Sequence, residues 1–302
     1  MIFMPTFPKA PSSPSDRDGP SPVKIAPQPW LAVLALSGAA ALPCAAQVDP
    51  WEFEVYPYST TQRGMVELET DNAVVAEGHA AGGEGTAAGA VRSQGMWFNA
   101  YELTYGLTDR IEAALYVDLA RPDGSGLQWA GDKLRLRGRL FDQGSLPVDL
   151  GWYLELEWHK VPQFDDAQRE LEFRPIIERD FGPYSVMANP KFEKVLAGAG
   201  RHEGVEFGYV AGVHYRWARG LSPGLEFYGG SGLIDRLDPV AQEQHYVFPT
   251  LWGELPRGIE YNIGVGWGLT RNSDHVIVKA NLELERFVGA VFGASPDGAW
   301  FR

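Results

Sequence analysis

The stretch YELTYGLTDRIEAALYVDLA, residues 101–120, holds two alternating apolar/polar runs joined at Gly106-Leu107-Thr108-Asp109-Arg110. In the second run Ile111, Ala113, Leu115, Val117 and Leu119 point one way, while Glu112, Ala114, Tyr116 and Asp118 point the other. Alternation of this kind is the signature of a β-strand whose two faces meet different surroundings. Such a hairpin normally lays its apolar face on a protein core. Which medium this face meets decides the fold.

Nearly every readable segment after Asp49 repeats the pattern. Period-two runs are expected at 65–75, 97–105, 111–120, 132–141, 148–159, 169–179, 184–195, 205–217, 224–231, 245–252, 258–269 and 275–287, with 51–58 as a lead-in or extra strand. Their connections alternate in length. Links at 106–110, 142–147, 180–183 and 219–223 are short and rich in Gly, Pro, Asp and Ser, as tight turns require. Those at 78–95, 121–131, 160–168, 196–204 and 233–244 are longer and polar. Short turns at one end and long loops at the other suit an outer-membrane barrel, and an even strand count suits a single-chain one.

The faces point to lipid. Lys133, Arg135, Arg137 and Arg139 share one face of 132–141, against Leu134, Leu136 and Leu140. In the next run Leu150, Trp152, Leu154, Leu156 and Trp158 oppose Tyr153, Glu155, Glu157 and His159. In 205–217 Phe207, Tyr209, Ala211, Val213, Tyr215 and Trp217 oppose Glu206, Gly208, Gly212, His214 and Arg216. These apolar faces run long enough for the roughly 9–11 residues of a tilted membrane strand. Trp97, Trp152, Trp158, Tyr215, Trp217 and Trp267 fall towards the ends of such faces, as an aromatic girdle does. After the leader no apolar segment reaches the roughly eighteen residues of a membrane helix. A closed barrel is then the way to span, since lipid cannot satisfy an open sheet edge. The expected fold is all-β: a transmembrane antiparallel up-and-down β-barrel of about twelve strands.

The chain divides into a signal peptide with an N-terminal extension (1–46), a lead-in (47–64), the barrel (65–287) and a tail (288–302). Residues 30–43 form a short apolar run before Cys44-Ala45-Ala46 and polar Gln47, a secretory pattern with cleavage after Ala46. The long Pro- and Ser-rich stretch before it suggests translation starting at Val23. Pro43 before Cys44 argues against lipidation, and cleavage leaves no cysteine for disulfide, thiol or metal chemistry. The net charge of −13 argues against nucleic acid, which needs a basic face. The expected location is the Gram-negative outer membrane. The expected partners are outer-membrane lipid, the barrel-assembly machinery and a small-molecule solute.

The polar faces supply the candidate site. Arg135, Arg137 and Arg139 lie beside Glu155 and Glu157, with Glu170, Glu172, Arg174 and Glu178 on the next strand. Opposite charges on neighbouring strands attract. The set Arg135, Arg137, Arg139, Glu155, Glu157, Glu172, Arg174 and Arg216 is therefore either a paired ladder stiffening the wall or a constriction selecting solutes.

The segments ELTYGLTDRIEAAL, VDLGWYLELEW, ERDFGPYSVMANPKFEK, GVHYRWARGLSPGLEFYG and NIGVGWGLTRNSDHVIVKANLELERF resemble the outer-membrane barrels of the MetA-pathway of phenol degradation, or transporter-like, family. YGLTDR and the RDFGP turn followed by Asn189 are the distinctive parts, and the likeness spans 65–287. It implies an outer-membrane channel or transporter for small solutes, hydrophobic or aromatic compounds among them, with no catalytic residue or cofactor. Such barrels usually end on an aromatic residue read during assembly. Here fifteen residues follow Phe287, which leaves the assembly signal open.

Enzymatic chemistry finds little support. Ser273-Asp274-His275 are neighbours at a turn, where strand geometry does not line up a nucleophile, base and orienting acid. No two histidines and a carboxylate stand at metal spacing, and the 78–95 loop lacks the lysine of a phosphate loop. A non-transporting scaffold or anchor is the alternative reading, and a membrane-embedded hydrolase a weaker third.

Overall fold

Thirteen strands form in the computed structural model, which describes residues 48–79, 92–162, 164–165, 167–218, 220–255 and 258–284. The expected signal peptide, the tail, Phe287 and most of the 78–95 loop lie outside the described residues. The elements are β1 (Val66–Glu77), β2 (Trp97–Gly106), β3 (Ile111–Arg121), β4 (Gln128–Arg139), β5 (Asp149–His159), β6 (Ala167–Phe181) and β7 (Tyr184–Gly198). They continue as β8 (Glu206–Tyr215), β9 (Ser222–Leu233), β10 (Arg236–Leu237), β11 (Gln244–Leu255), β12 (Ile259–Gly268) and β13 (Val276–Leu284). β10 is a two-residue return on the end of β9. The other twelve pair antiparallel with their neighbours, β8 with β9 and β13 with β1, so the sheet closes into a barrel.

Each of the twelve expected runs becomes a strand. β4 begins earlier than expected because a bulge after Asp118 lets Trp129 pair with Leu119. β6 runs on to Phe181 because only 182–183 separate it from Tyr184, its partner across the turn, and both strands extend at the other end, where Ala167 pairs with Gly198. Gly182 has φ +61°, the positive value that the first position of such a two-residue turn requires. The segment 51–58 forms no strand.

In the opening hairpin Leu103 pairs with Leu115 and Tyr101 with Val117, while Glu102 pairs with Tyr116 and Thr104 with Ala114. Burial runs opposite to a soluble protein: Leu115 is 59% exposed and Glu112 is 0% exposed. The same inversion recurs at Leu134 beside Arg135 and at Leu154 beside Glu155. Trp97, Trp158 and Trp267 lie near the long-loop end of their strands, and Trp152 and Tyr215 near the short-turn end. Tyr215 packs on Tyr184 at 5.0 Å between ring centroids. Aromatics thus flank an apolar outer band on both sides, as in a barrel seated in a bilayer. No helix among the described residues is long and apolar enough to cross a membrane.

Placing a charge in that band tests the assignment of faces. Leu115→Arg should lower the folding free energy in lipid bilayers by about 2–4 kcal/mol, the cost of arginine near the bilayer midplane. Urea titration in liposomes measures it, and an unchanged midpoint would mean that Leu115 does not face lipid.

Candidate functional site: a charged lumen filled by the chain's own segment

The lumen holds residues 48–62. Their course starts at the long-loop end, where Val48 donates its N–H to Gln244 Oε1 at 2.8 Å and Trp51 donates Nε1–H to Leu119 O at 2.8 Å. It finishes at the short-turn end, where Thr61 N–H donates to Glu112 Oε2 at 2.6 Å. There the chain turns over Gly106: Gly64 N–H donates to Gly106 O at 2.8 Å, and Gly106 N–H to Met65 O at 3.0 Å. A Cβ on Gly106 would stand 2.1 Å from Gln62 O, so the glycine of YGLTDR is needed for this close approach.

One side of the segment is apolar. Phe53 packs among Tyr228, Tyr246 and Phe248 at 5.2, 5.7 and 5.0 Å between centroids, and Trp51 packs on Phe98 at 4.9 Å. The other side is ionic. Glu52 accepts from Arg174 Nη2 at 3.2 Å, Lys133 Nζ at 3.3 Å and Tyr153 OH at 3.0 Å, and also from Tyr56 OH. Lys133 pairs with Asp49 as well and stands 3.7 and 3.6 Å from Glu155 and Glu157. Asn189 clamps the backbone of Tyr56 twice, accepting its N–H at 2.9 Å and donating to its carbonyl at 3.1 Å. The Arg135, Arg137 and Arg174 guanidinium groups lie 5.2, 5.1 and 5.3 Å from the centroid of the Tyr56 ring. Buried charges persist only when paired, and Glu52 is the counterion that Lys133 and Arg174 share.

The expected site residues divide into three groups. β4 and β5 are neighbours, as the sequence suggests, and their register sets Arg135 opposite Glu155. The Arg135 side chain nevertheless turns the other way, to Glu102 at 3.2 Å and Glu112 at 2.9 Å. Arg137 also takes Glu112, at 2.7 Å, so neither arginine bonds Glu155 or Glu157. Lys133 is the cation nearest those two glutamates, and Arg174 joins Glu172, which Lys191 also reaches at 3.0 Å. Arg139 braces the turn end by donating to Asp109 O. Arg216 departs from expectation: β8 ends at Tyr215, and Arg216 is an exposed turn residue bonded to Asp180 at 2.8 Å and Gly182 O at 2.9 Å. It does not line the lumen.

The residues that sequence reasoning missed are Glu52, Glu54 and Tyr56 of the filling segment, with Lys191, Lys279 and Glu226 of the wall; Lys133 stood on the expected polar face but outside the candidate set. Lys279 bonds Phe53 O at 2.9 Å and pairs with Glu226, which also meets His214 at 3.0 Å. Folding also gathers groups able to hold a cation where sequence spacing shows none: His159 with Asp165 and Glu170, Glu54 with Glu69 and Glu102, and Glu155 with Glu157 and Glu172. Next to the filling segment, towards the turn end, lies a cavity of about 360 Å³ lined by Glu54, Glu67, Glu69, Glu102, Arg135 and Arg137 among others. Ser273, Asp274 and His275 form no catalytic line. Ser273 Oγ bonds the backbone of His245 and Thr270 Oγ1, Asp274 accepts from Ser93, and His275 turns to Glu77 at 3.3 Å.

No family model and no curated protein matches the chain. Among solved structures, the COG4313 outer membrane channel from Pseudomonas putida F1 superposes with a TM-score of 0.52 at 15% identity, covering 77% of this chain and 100% of that one. LpxR from Salmonella typhimurium gives 0.36 at 10% identity over 72% of this chain and 99% of its own. A mutant Rh. blastica porin gives 0.29 at 9% identity over 73% and 100%. At such identities the likeness to the channel concerns the fold, a closed antiparallel barrel of outer-membrane type.

Removing Lys133 leaves Asp49, Glu52, Glu155 and Glu157 without their shared cation. Lys133→Met should therefore cost about 3–5 kcal/mol in a urea titration, the usual effect of breaking a buried ion pair. A loss under about 1 kcal/mol, typical of exposed pairs, would show that the lumen is hydrated at this level.

Proposed function

We propose that the chain is a channel of the Gram-negative outer membrane, gated by its own segment 48–62 and admitting small polar or cationic solutes. The carrying observation is the polar lumen inside an apolar outer wall: a bilayer-spanning barrel whose interior holds charges and a cavity of about 360 Å³. The fold likeness to an outer membrane channel supports the reading. The asymmetry of turns and loops supports an orientation with the long loops outside the cell.

The solute class differs from the hydrophobic and aromatic compounds that the family resemblance implies. An apolar solute in this cavity would strip water from Glu54, Glu67 and Glu69 without returning hydrogen bonds, which is costly. A cation gains from the same wall. The filled lumen favours the second reading, a barrel that anchors or scaffolds and passes nothing. Neither reading needs catalysis, and the Ser273–His275 turn offers none.

Planar-bilayer recordings on the full chain and on Asn189→Ala separate the two. The variant loses both bonds to Tyr56, worth about 2 kcal/mol together, so the released population should rise roughly 30-fold. Conductance should rise with it and favour cations over anions. If hydrogen exchange at Tyr56 quickens and the current stays at zero, the barrel is a scaffold.

A further inference from the structure

Four glutamates face one another across four adjacent strands. The register sets Glu260 of β12 against Glu283 of β13, Glu283 against Glu69 of β1, and Glu69 against Glu102 of β2. Like charges directly opposite on one face repel, so this row requires an offsetting positive charge. Arg135 bonds Glu102, yet among the described residues no cationic side chain pairs with Glu69. The filling segment adds to the excess instead of relieving it. Oxygens of Glu54, Glu69 and Glu102 lie within 4.8 Å of one another.

A second observation points to the same place. Asp71, two residues along β1 on the same inward face, is 2% exposed, and among the described residues no donor bonds either of its carboxylate oxygens. Its carboxyl lies against that of Glu69, within electrostatic reach of Glu54 and Glu102. Glu54 Oε2 is likewise buried with no hydrogen-bond partner among the described residues. Orphaned buried carboxylate oxygens are expensive. Glu54, Glu69 and Glu102 line a cavity able to supply water, and Asp71 stands beside them on β1.

We propose that Glu54, Glu69, Asp71 and Glu102 hold one hard divalent cation of calcium size, which ties segment 48–62 to β1 and β2. Calcium takes six to eight oxygen ligands at about 2.3–2.6 Å in flexible geometry, which several carboxylates and water can supply. Magnesium, at about 2.0–2.1 Å, needs a tighter and more regular cage. Water from the cavity fills the remaining positions. The acidic group Glu155, Glu157 and Glu172 differs, because Lys133, Lys191 and Arg174 already serve it. The cation site depends on the lumen's geometry and not on whether the barrel conducts.

Calorimetric titration of the purified full chain with calcium chloride tests this, beside Glu69→Gln, Asp71→Asn and Glu54→Gln. One ion per chain is expected, with affinity weakened about tenfold or more in each variant. Calcium should slow hydrogen exchange at residues 52–58 in the wild type and leave Glu69→Gln unchanged. Neutralising Glu69 relieves repulsion, so that variant should melt above the calcium-free wild type and lose the calcium-induced rise. Glu54→Gln lies on the filling segment and leaves the wall intact, so it reports binding even if a wall variant misfolds. The proposal is overturned if the wild type binds no calcium at about 1 mM, the weak end of calcium modules, or if all three variants bind as it does.

Discussion

Closure of the hydrogen-bond ladder between β1 and β13 is the constraint on which the rest depends. In hydrocarbon no backbone N–H or C=O can go unpaired, so the first and last strands must meet. The seam sets Leu68 against Leu284 and Glu69 against Glu283. Once closed, alternate residues have only two destinations. The outward ones meet lipid and must be apolar. The inward ones are crowded into a narrow core where each charge needs a partner.

That core is electrically lopsided. On the β4–β7 side Lys133, Arg174 and Lys191 stand among Glu155, Glu157, Glu172 and Glu193, so positive and negative groups mix. On the β12–β13–β1–β2 side the glutamate row gathers negative charge, with Arg135 at one end. Segment 48–62 lies between them with Glu52 against the first and Glu54 against the second. The first contact holds the segment by attraction, whereas the second leaves charge uncompensated. The segment is thus fixed by ion pairs and clamped backbone as much as by the packing of Phe53.

How far the sequence revealed this follows from what alternation encodes. Period two fixed both the strands and their faces, because in a barrel each inward residue is flanked by outward ones, as at Glu112 between Ile111 and Ala113. It also put Arg135 on the strand next to that of Glu155. It could not say that Arg135 reaches back to Glu102, because register locates Cα atoms and not the direction of a long side chain. Arg216 continues the alternation of β8 but falls one residue past its end. The filling segment was hidden for the opposite reason. Glu52, Phe53, Glu54 and Val55 alternate as a strand does, yet they find partners among side chains from all round the wall. The glutamate row needs the register of the first strand against the last, which no local pattern carries.

Attachment of segment 48–62 to β1 has a kinetic consequence. Fully extended, the segment spans at most about 50 Å, so once freed it remains within reach of the mouth it left. It behaves as a tethered ligand with an effective concentration on the order of millimolar. Reclosure is then first order, independent of how densely the barrel is packed in the membrane. A soluble competitor for the Lys133–Arg174 pocket must outbid a rival that never diffuses away.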